Sequence, residues 1–446
     1  MATSLLHQDT CECTKSELAI FDMPPTQITQ EKGQWTAYHP ITNTLDGGPL
    51  EFQISGNDEY IDLANSQLFV RAKITKADGS NLDADQNVGP VNNWLQSLFS
   101  QVDVLMNGKV ISPSSNTYPY RCMIETLLNY GNDAKESQLT AQLFYKDTAG
   151  KMDVVRPTEA NATANLGLKA RYEFTKESAA VSMVGRIHSD MFLQPRLLLS
   201  HVDMTIRLNR AKSLFCLVSS EGGGATFKVV IQEAVLRMRK VKVSPSVILE
   251  HTATLAKTTA KYPIQRVDCK VFSVPAGNMS INQDNLFLGN VPQRVIVAMV
   301  DTDSFNGSYT KNPFNFKHYN ANFVGLFLNG EQVPHRPLKL SYRTAGGVNN
   351  IMGYYSLFTG TGKSHHDSGN QISRNDYAQG YTLYSFNLTP DLSDDAHLQL
   401  VKSGSLRLEV QFDQALAQTI NVIVYAQYQS LIQINSRRNI ICDFAN

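Results

Sequence analysis

Apolar and polar residues alternate with period two through much of this chain, in short runs broken by turn residues. Leu50–Ile54, Leu68–Ile74 and Val202–Leu208 carry the clearest alternation. A two-residue period places successive side chains on opposite faces, so each run predicts a half-buried strand. Phe227–Val243 predicts a long strand or strand pair, with Gly222-Gly223-Gly224 as the turn before it. The run 93–99 leads into a hairpin. Two apolar runs are each interrupted by Asn-Gly, at Asn107-Gly108 and at Asn329-Gly330, with Pro113 and Pro334 soon after. A type I′ hairpin turn needs positive φ at both central residues, which Asn and Gly tolerate most cheaply.

Helical spacing is rarer. Tyr120–Tyr130 places apolar residues on one face and stops at Gly131, which predicts a short helix. Ser244-Pro245 gives a cap residue and a first-turn proline, which predicts a helix over 244–257. Residues 132–190 read as a long polar connection with strands inside it.

After residue 258 the strand pattern restarts. Leu68, Val70 and Ala72 match Val295, Val297 and Met299; the Asn107 hairpin matches the Asn329 hairpin. Met204, Ile206 and Leu208 match Leu406, Leu408 and Val410; Phe227, Val229 and Ile231 match Ile420, Val422 and Val424. The order is kept and the offset shrinks, as it does when connecting loops shorten. Short alternating strands with long connections favour a jelly roll over an up-and-down barrel. The fold class is therefore all-β, two tandem jelly-roll β-sandwiches with a few short helices. The expected division is an N-terminal arm over 1–48, a first jelly roll over 49–243, a linker helix over 244–258 and a second jelly roll over 259–446.

Composition narrows the function. The 446 residues are 42% hydrophobic and 18% charged, an ordinary globular balance. Lys+Arg and Asp+Glu are both 40, so the chain lacks the cationic surplus that tight coating of nucleic acid requires. No apolar run is long enough for a membrane-spanning helix. Residues 1–13 lack the pattern of a secretory signal, so the sequons at Asn161, Asn278, Asn306 and Asn387 read as chance and the six cysteines as reduced thiols. Cys11-Glu12-Cys13 has no second pair at ligand spacing, so no metal is expected there.

Candidate chemistry falls short in each place. Gly360-Thr361-Gly362-Lys363-Ser364 resembles the end of a phosphate-binding loop, but Leu357 stands where the first glycine belongs and 365–369 do not open a helix. His365-His366-Asp367 reads as an exposed loop, and His318 as a hydrogen-bonded structural histidine. No nucleophile elbow occurs. The expectation is no enzyme, no catalytic residue, no metal and no cofactor. One charge pattern remains: Arg237, Arg239, Lys240 and Lys242 end the first copy, and Arg437-Arg438 occupy a comparable late position in the second. They read as solvated edge-strand cations or as an inner basic rim facing nucleic acid.

Longer motifs carry a resemblance. Cys11–Leu18, Pro24–Gln27, Tyr60–Asn65, Ser97–Asp103, Asn107–Lys109, Asn116–Tyr120, Glu125–Leu128, Asn315–Asn320 and Asn421–Ala426 resemble the capsid protein of Maverick/Polinton elements and the related adintoviruses. The resemblance covers nearly the whole chain. It implies a double jelly-roll major capsid protein whose homotrimers, of pseudo-hexameric outline, tile an icosahedral virion shell around double-stranded DNA. Implied partners are neighbouring capsomers, a single jelly-roll penton protein, a maturation protease, a packaging ATPase and packaged DNA, with assembly in the host nucleus or cytoplasm. Residues 132–190, 305–320 and 340–380 are then expected to supply towers or inter-subunit clasps, and the first 48 residues and last dozen to tie capsomers at the inner face. Competing readings are a carbohydrate-binding or hydrolytic β-sandwich, for which Glu331 and Asp394-Asp395 are the available carboxylates, and a domesticated capsid copy that forms no particles.

Overall fold

A computed structural model describes residues 9–10, 13, 15–43, 47–112, 115–221, 226–343, 347–365, 367–392 and 397–443. Cys11, Glu12, Pro113, the Gly222–Gly224 turn, His366 and Asp394-Asp395 lie outside the described residues.

The first half contains β1 (Gln30–Tyr38), β2 (Leu50–Ile54), β3 (Tyr60–Lys76), β4 (Phe99–Met106), β5 (Lys109–Val110), β6 (Val181–Gly185), β7 (Met204–Arg210) and β8 (Phe227–Val243). They form two sheets, in the orders β1-β8-β3-β6 and β2-β7-β4-β5. The second half contains β9 (Ala260–Val274), β10 (Ser280–Asn290), β11 (Arg294–Asp301), β12 (Ala321–Leu328), β13 (Glu331–Lys339), β14 (Leu383–Asn387), β15 (Ser403–Phe412) and β16 (Ile420–Ile434). Its sheets run β9-β16-β11-β14 and β10-β15-β12-β13, with Ile440–Cys442 added on β16. Each strand of the second half takes the place of the strand eight earlier. This is the eight-stranded jelly roll built twice, and the chain is 39% strand and 19% helix. The four sequence matches each fall on equivalent strands: β3 with β11, the two hairpins, β7 with β15, and β8 with β16.

Alternation decides the cores. Val295, Val297 and Met299 on β11 meet Leu406, Leu408 and Val410 on β15 and Val422, Val424 and Ala426 on β16 between the sheets of the second sandwich. Burying each such side chain stabilises by roughly 1.5–3 kcal/mol. The opposite parity on β16, Ile423 and Tyr425, packs instead into the core continuous with the first sandwich. The outward face of β9-β16-β11-β14 is thus covered by the first half of the chain.

Four longer helices occupy the connections. Helix α1 (Tyr118–Asn129) is buried on every side from Tyr118 to Leu128. Helix α2 (Leu166–Thr175) starts at Asn165, whose side chain accepts from Leu168 N. Helix α3 (Pro245–Leu255) links the halves and buries no residue; Ser244 makes no capping bond, its Oγ meeting Ser246 Oγ at 2.9 Å instead. Helix α4 (Ile351–Thr359) precedes β14.

Two expectations change. Residues 30–38, read as part of an extended arm, form β1 and pair along β8 from Gln30–Val243 to Tyr38–Leu236. The strand escaped notice because its inner positions, Gln34, Thr36 and Tyr38, are only half-buried and mostly polar, while Trp35 and Ala37 point outward, so no apolar-in, polar-out alternation marks it. The 132–190 connection, read as having strands inside it, holds mostly short helical elements and a single strand, β6. Its Asp153 carboxylate accepts from Asn312 N at 2.9 Å and Asn315 Nδ2 at 2.8 Å, clasping the second sandwich of the same chain.

Candidate functional site: the seam between the two sandwiches

Helix α1 lies in the seam, and its Arg121 and Glu125, one turn apart, are both buried. Arg121 Nε donates to Glu125 Oε1 at 2.9 Å and its Nη2 to Asp190 Oδ1 at 2.7 Å. His188 Nδ1 lies 2.6 Å from Glu125 Oε2. From the second sandwich, Tyr425 OH donates to Glu125 Oε1 at 3.3 Å and Val267 N to Asp190 Oδ1 at 3.3 Å. Burial pushes the Glu125 carboxyl up, but the Arg121 charge and the bonds from His188 and Arg121 outweigh it and hold the group at about 2. Asp190 goes the other way: burial dominates and raises it, consistent with an Oδ2 that has no partner.

A second buried knot joins the halves. Arg171 Nη2 donates to Asp147 Oδ1 at 2.8 Å, Asn165 Nδ2 donates to the same oxygen at 3.0 Å, and Asn312 Nδ2 reaches Oδ2 at 3.1 Å. Tyr381 OH donates to the Asp147 carbonyl at 2.6 Å. Beside α1 the seam opens into a cleft of about 740 Å³ lined by Arg196, Arg294, Lys363, Gln427 and Gln429 among others.

This arrangement suits joining rather than turnover. Glu125 already accepts from three side chains, so it has little capacity left as a base, and a buried ion pair mainly penalises removal of either partner. The nearby thiols Cys122 and Cys269 are pushed up by burial, Cys269 to about 12, away from nucleophilic thiolate. Among the described residues no group of three metal-ligating side chains occurs, and no helix is long and apolar enough to cross a membrane.

The residues singled out from sequence fall as follows. Asn107 and Gly108 have φ of 46° and 78°, Asn329 and Gly330 of 52° and 90°, as the I′ turn demands. Gly360-Thr361-Gly362-Lys363 follows the C-terminus of α4, the end whose dipole repels phosphate. His318 accepts from Asn320 N at 2.9 Å, stacks on Tyr342 at 3.9 Å, and is lowered by burial to about 4. Arg237 lies 5.6 Å from the Phe69 ring, and Arg239 lies 3.5 Å from Asp62 and 5.9 Å from the Trp35 ring. Lys242 pairs with Glu31 at 3.0 Å. Lys240 is buried against Tyr38, which withdraws it from the rim expected around it. Arg437 is exposed, while Arg438 Nε donates to the Ser200 carbonyl at 2.9 Å. The seam network itself was missed; the one available signal was an Arg and a Glu four apart inside an otherwise apolar helix.

No family model matches the chain. An uncharacterized protein of Caenorhabditis elegans is 24% identical over 434 residues, covering 94% of this chain and 99% of its own length. Among solved structures, the Sputnik virophage cryo-EM structure aligns with a TM-score of 0.64 at 11% identity, over 100% of this chain and 95% of the other. The PBCV-1 capsid aligns at 0.56 and 12% identity, over 96% and 100%. The mavirus major capsid protein aligns at 0.53 and 12% identity, over 99% and 97%. Taken with the twice-built strand order, these alignments end to end give the chain the double jelly-roll fold of viral major capsid proteins.

Proposed function

We propose that this protein is a major capsid protein of the Maverick/Polinton–adintovirus kind. Its trimers, pseudo-hexameric in outline, tile an icosahedral shell around double-stranded DNA. The observation that carries this reading is the duplication itself. Three chains holding two similar sandwiches each supply six similar walls, and a closed ring of copies buries heterologous interfaces. The rigid seam supports it, since a wall unit needs its two sandwiches fixed relative to each other. In this reading the arm up to residue 28 and the Arg437 end reach neighbouring capsomers, Arg237 and Arg239 face the packaged DNA, and a single jelly-roll protein closes the vertices.

A second reading keeps the capsid fold without the particle: a copy retained by a host genome. The near full-length relative from a nematode favours it. Negative-stain microscopy of the purified protein separates the two. Hexagonal capsomers or closed shells are expected for the capsid. Dispersed single molecules at high protein concentration would overturn it.

A further inference from the structure

Strand β9 ends its sheet, and its outer edge faces the cleft beside α1. Lys261 and Val267 turn their main-chain groups away from β16. The Lys261 carbonyl accepts from Arg196 Nη1 at 2.6 Å, and Val267 N donates to Asp190 Oδ1 at 3.3 Å. Alternate residues of an antiparallel strand share one edge. Pro263, which has no N–H to offer, and Gln265 therefore lie on that same edge, and both line the 740 Å³ cleft.

The rest of the lining suits an extended polypeptide segment. Leu193, Pro195, Ile264 and Leu398 supply an apolar wall, with Leu398 at 63% exposure. Gln427 and Gln429 carry amides, which can donate to a main-chain carbonyl or accept from an N–H. Asp190 lines the cleft while only 4% exposed, and its Oδ2 has no hydrogen-bond partner. It is an acceptor placed for an incoming N–H. Arg196, Arg294 and Lys363 make the lining basic. Arg196 is exposed and bonds a carbonyl rather than a carboxylate.

The chain itself carries a segment of matching chemistry. Residues 16–28 include Glu17 and Asp22 and no Lys or Arg. Leu18, Ile20, Phe21 and Met23 are exposed at 69%, 75%, 92% and 88%. The backbone bonds of Leu18, Ala19 and Asp22 stay within the arm, and Pro24-Pro25 stiffens its link to β1. Large apolar side chains gathered on the surface in this way mark an interface.

We infer that the cleft receives residues 16–23 from the arm of another copy of this chain. The apolar side chains of the segment meet the wall, and Glu17 and Asp22 face the cations. The contact leaves Arg237 and Arg239 uncovered. The inference rests on the reading of the arm as a tie between capsomers and names where that arm lands.

The test uses the full chain carrying the photo-crosslinker p-benzoylphenylalanine in place of Phe21. It is mixed with an equal amount of heavy-isotope wild type, illuminated and mapped by mass spectrometry. Crosslinks to 193–196 or 397–398 of the heavy chain are expected. Arg196→Glu in the heavy chain should reduce them several-fold at an unchanged thermal midpoint, and Glu17→Lys/Asp22→Lys in the arm should restore them. Leu398→Asp, which alters the wall and no charge pair, should reduce them without such rescue. Crosslinks confined to the arm's own copy, falling elsewhere on the heavy chain, or unchanged by both cleft variants would overturn the inference. If hexagonal capsomers still form, the capsid reading then stands. Dispersed single molecules without any crosslink between copies would overturn both.

Discussion

Asn107 and Asn329 make the same pair of hydrogen bonds in the two halves of the molecule. Asn107 N donates to the Asp203 carbonyl at 2.9 Å while its Oδ1 accepts from Asp203 N at 2.8 Å. Asn329 N donates to the Ser405 carbonyl at 3.0 Å while its Oδ1 accepts from Ser405 N at 2.9 Å. Each hairpin turn is thereby tied to the strand beside it, β7 or β15, and the two jelly rolls share a detail far below the level of topology.

The glycine after each asparagine holds a left-handed conformation that a β-branched residue adopts at a cost of about 1–2 kcal/mol. Gly108→Val and Gly330→Val should each lower stability by about that amount in urea titration. Equal losses at the two sites are expected, because the turns are equivalent and each glycine has open space around its Cα.

Arg121→Met strands the Glu125 carboxylate in the seam. Breaking one side of a buried pair typically costs about 3–5 kcal/mol, and urea titration should register a loss of that size. Replacing Glu125 by Leu in the same chain should recover part of it. A loss below about 1 kcal/mol for Arg121→Met would show that the seam is held by its apolar contacts alone.

The seam also sets an acid limit. Glu125 sits near 4.5 when unfolded and at about 2 when folded. The folded state therefore binds fewer protons between these values, and stability is lost as pH falls from about 4.5 towards 2. Asp190, raised by burial, offsets part of this from the opposite side. Thermal midpoints of wild type should fall over that window more steeply than those of Glu125→Gln.

Charge reversal separates the members of the proposed basic rim. Among the described residues Arg237 has no carboxylate in ion-pair range, whereas Arg239 and Lys242 face Asp62 and Glu31. Arg237→Glu should weaken DNA retention by assembled particles more than Lys242→Glu, and the gap should close at high salt. Retention unchanged by either would leave these cations as edge-strand protection.

Removal of the arm must respect β1. Deleting residues 1–28 should leave the sandwich and the trimer intact and block shell closure, checked by electron microscopy. Deleting 1–40 takes β1 with it, uncovers the β8 edge and should aggregate.

Period-two alternation and two Asn-Gly turns determined β2, β3, β7, β8, the two hairpins and their repetition in the second half, because both are local backbone demands written in adjacent residues. The linker helix was legible for the same reason, in a serine followed by a proline. Only the tertiary structure decided what covers each sheet. Arg121 and Glu125 gain their role only when Asp190, His188 and Tyr425, distant in the chain, converge on them. Trp35 reads as an arm residue until β1 aligns on β8. Burial of a charge or exposure of an aromatic depends on partners brought together by the fold, and no spacing along the chain encodes which of two equivalent faces is left open.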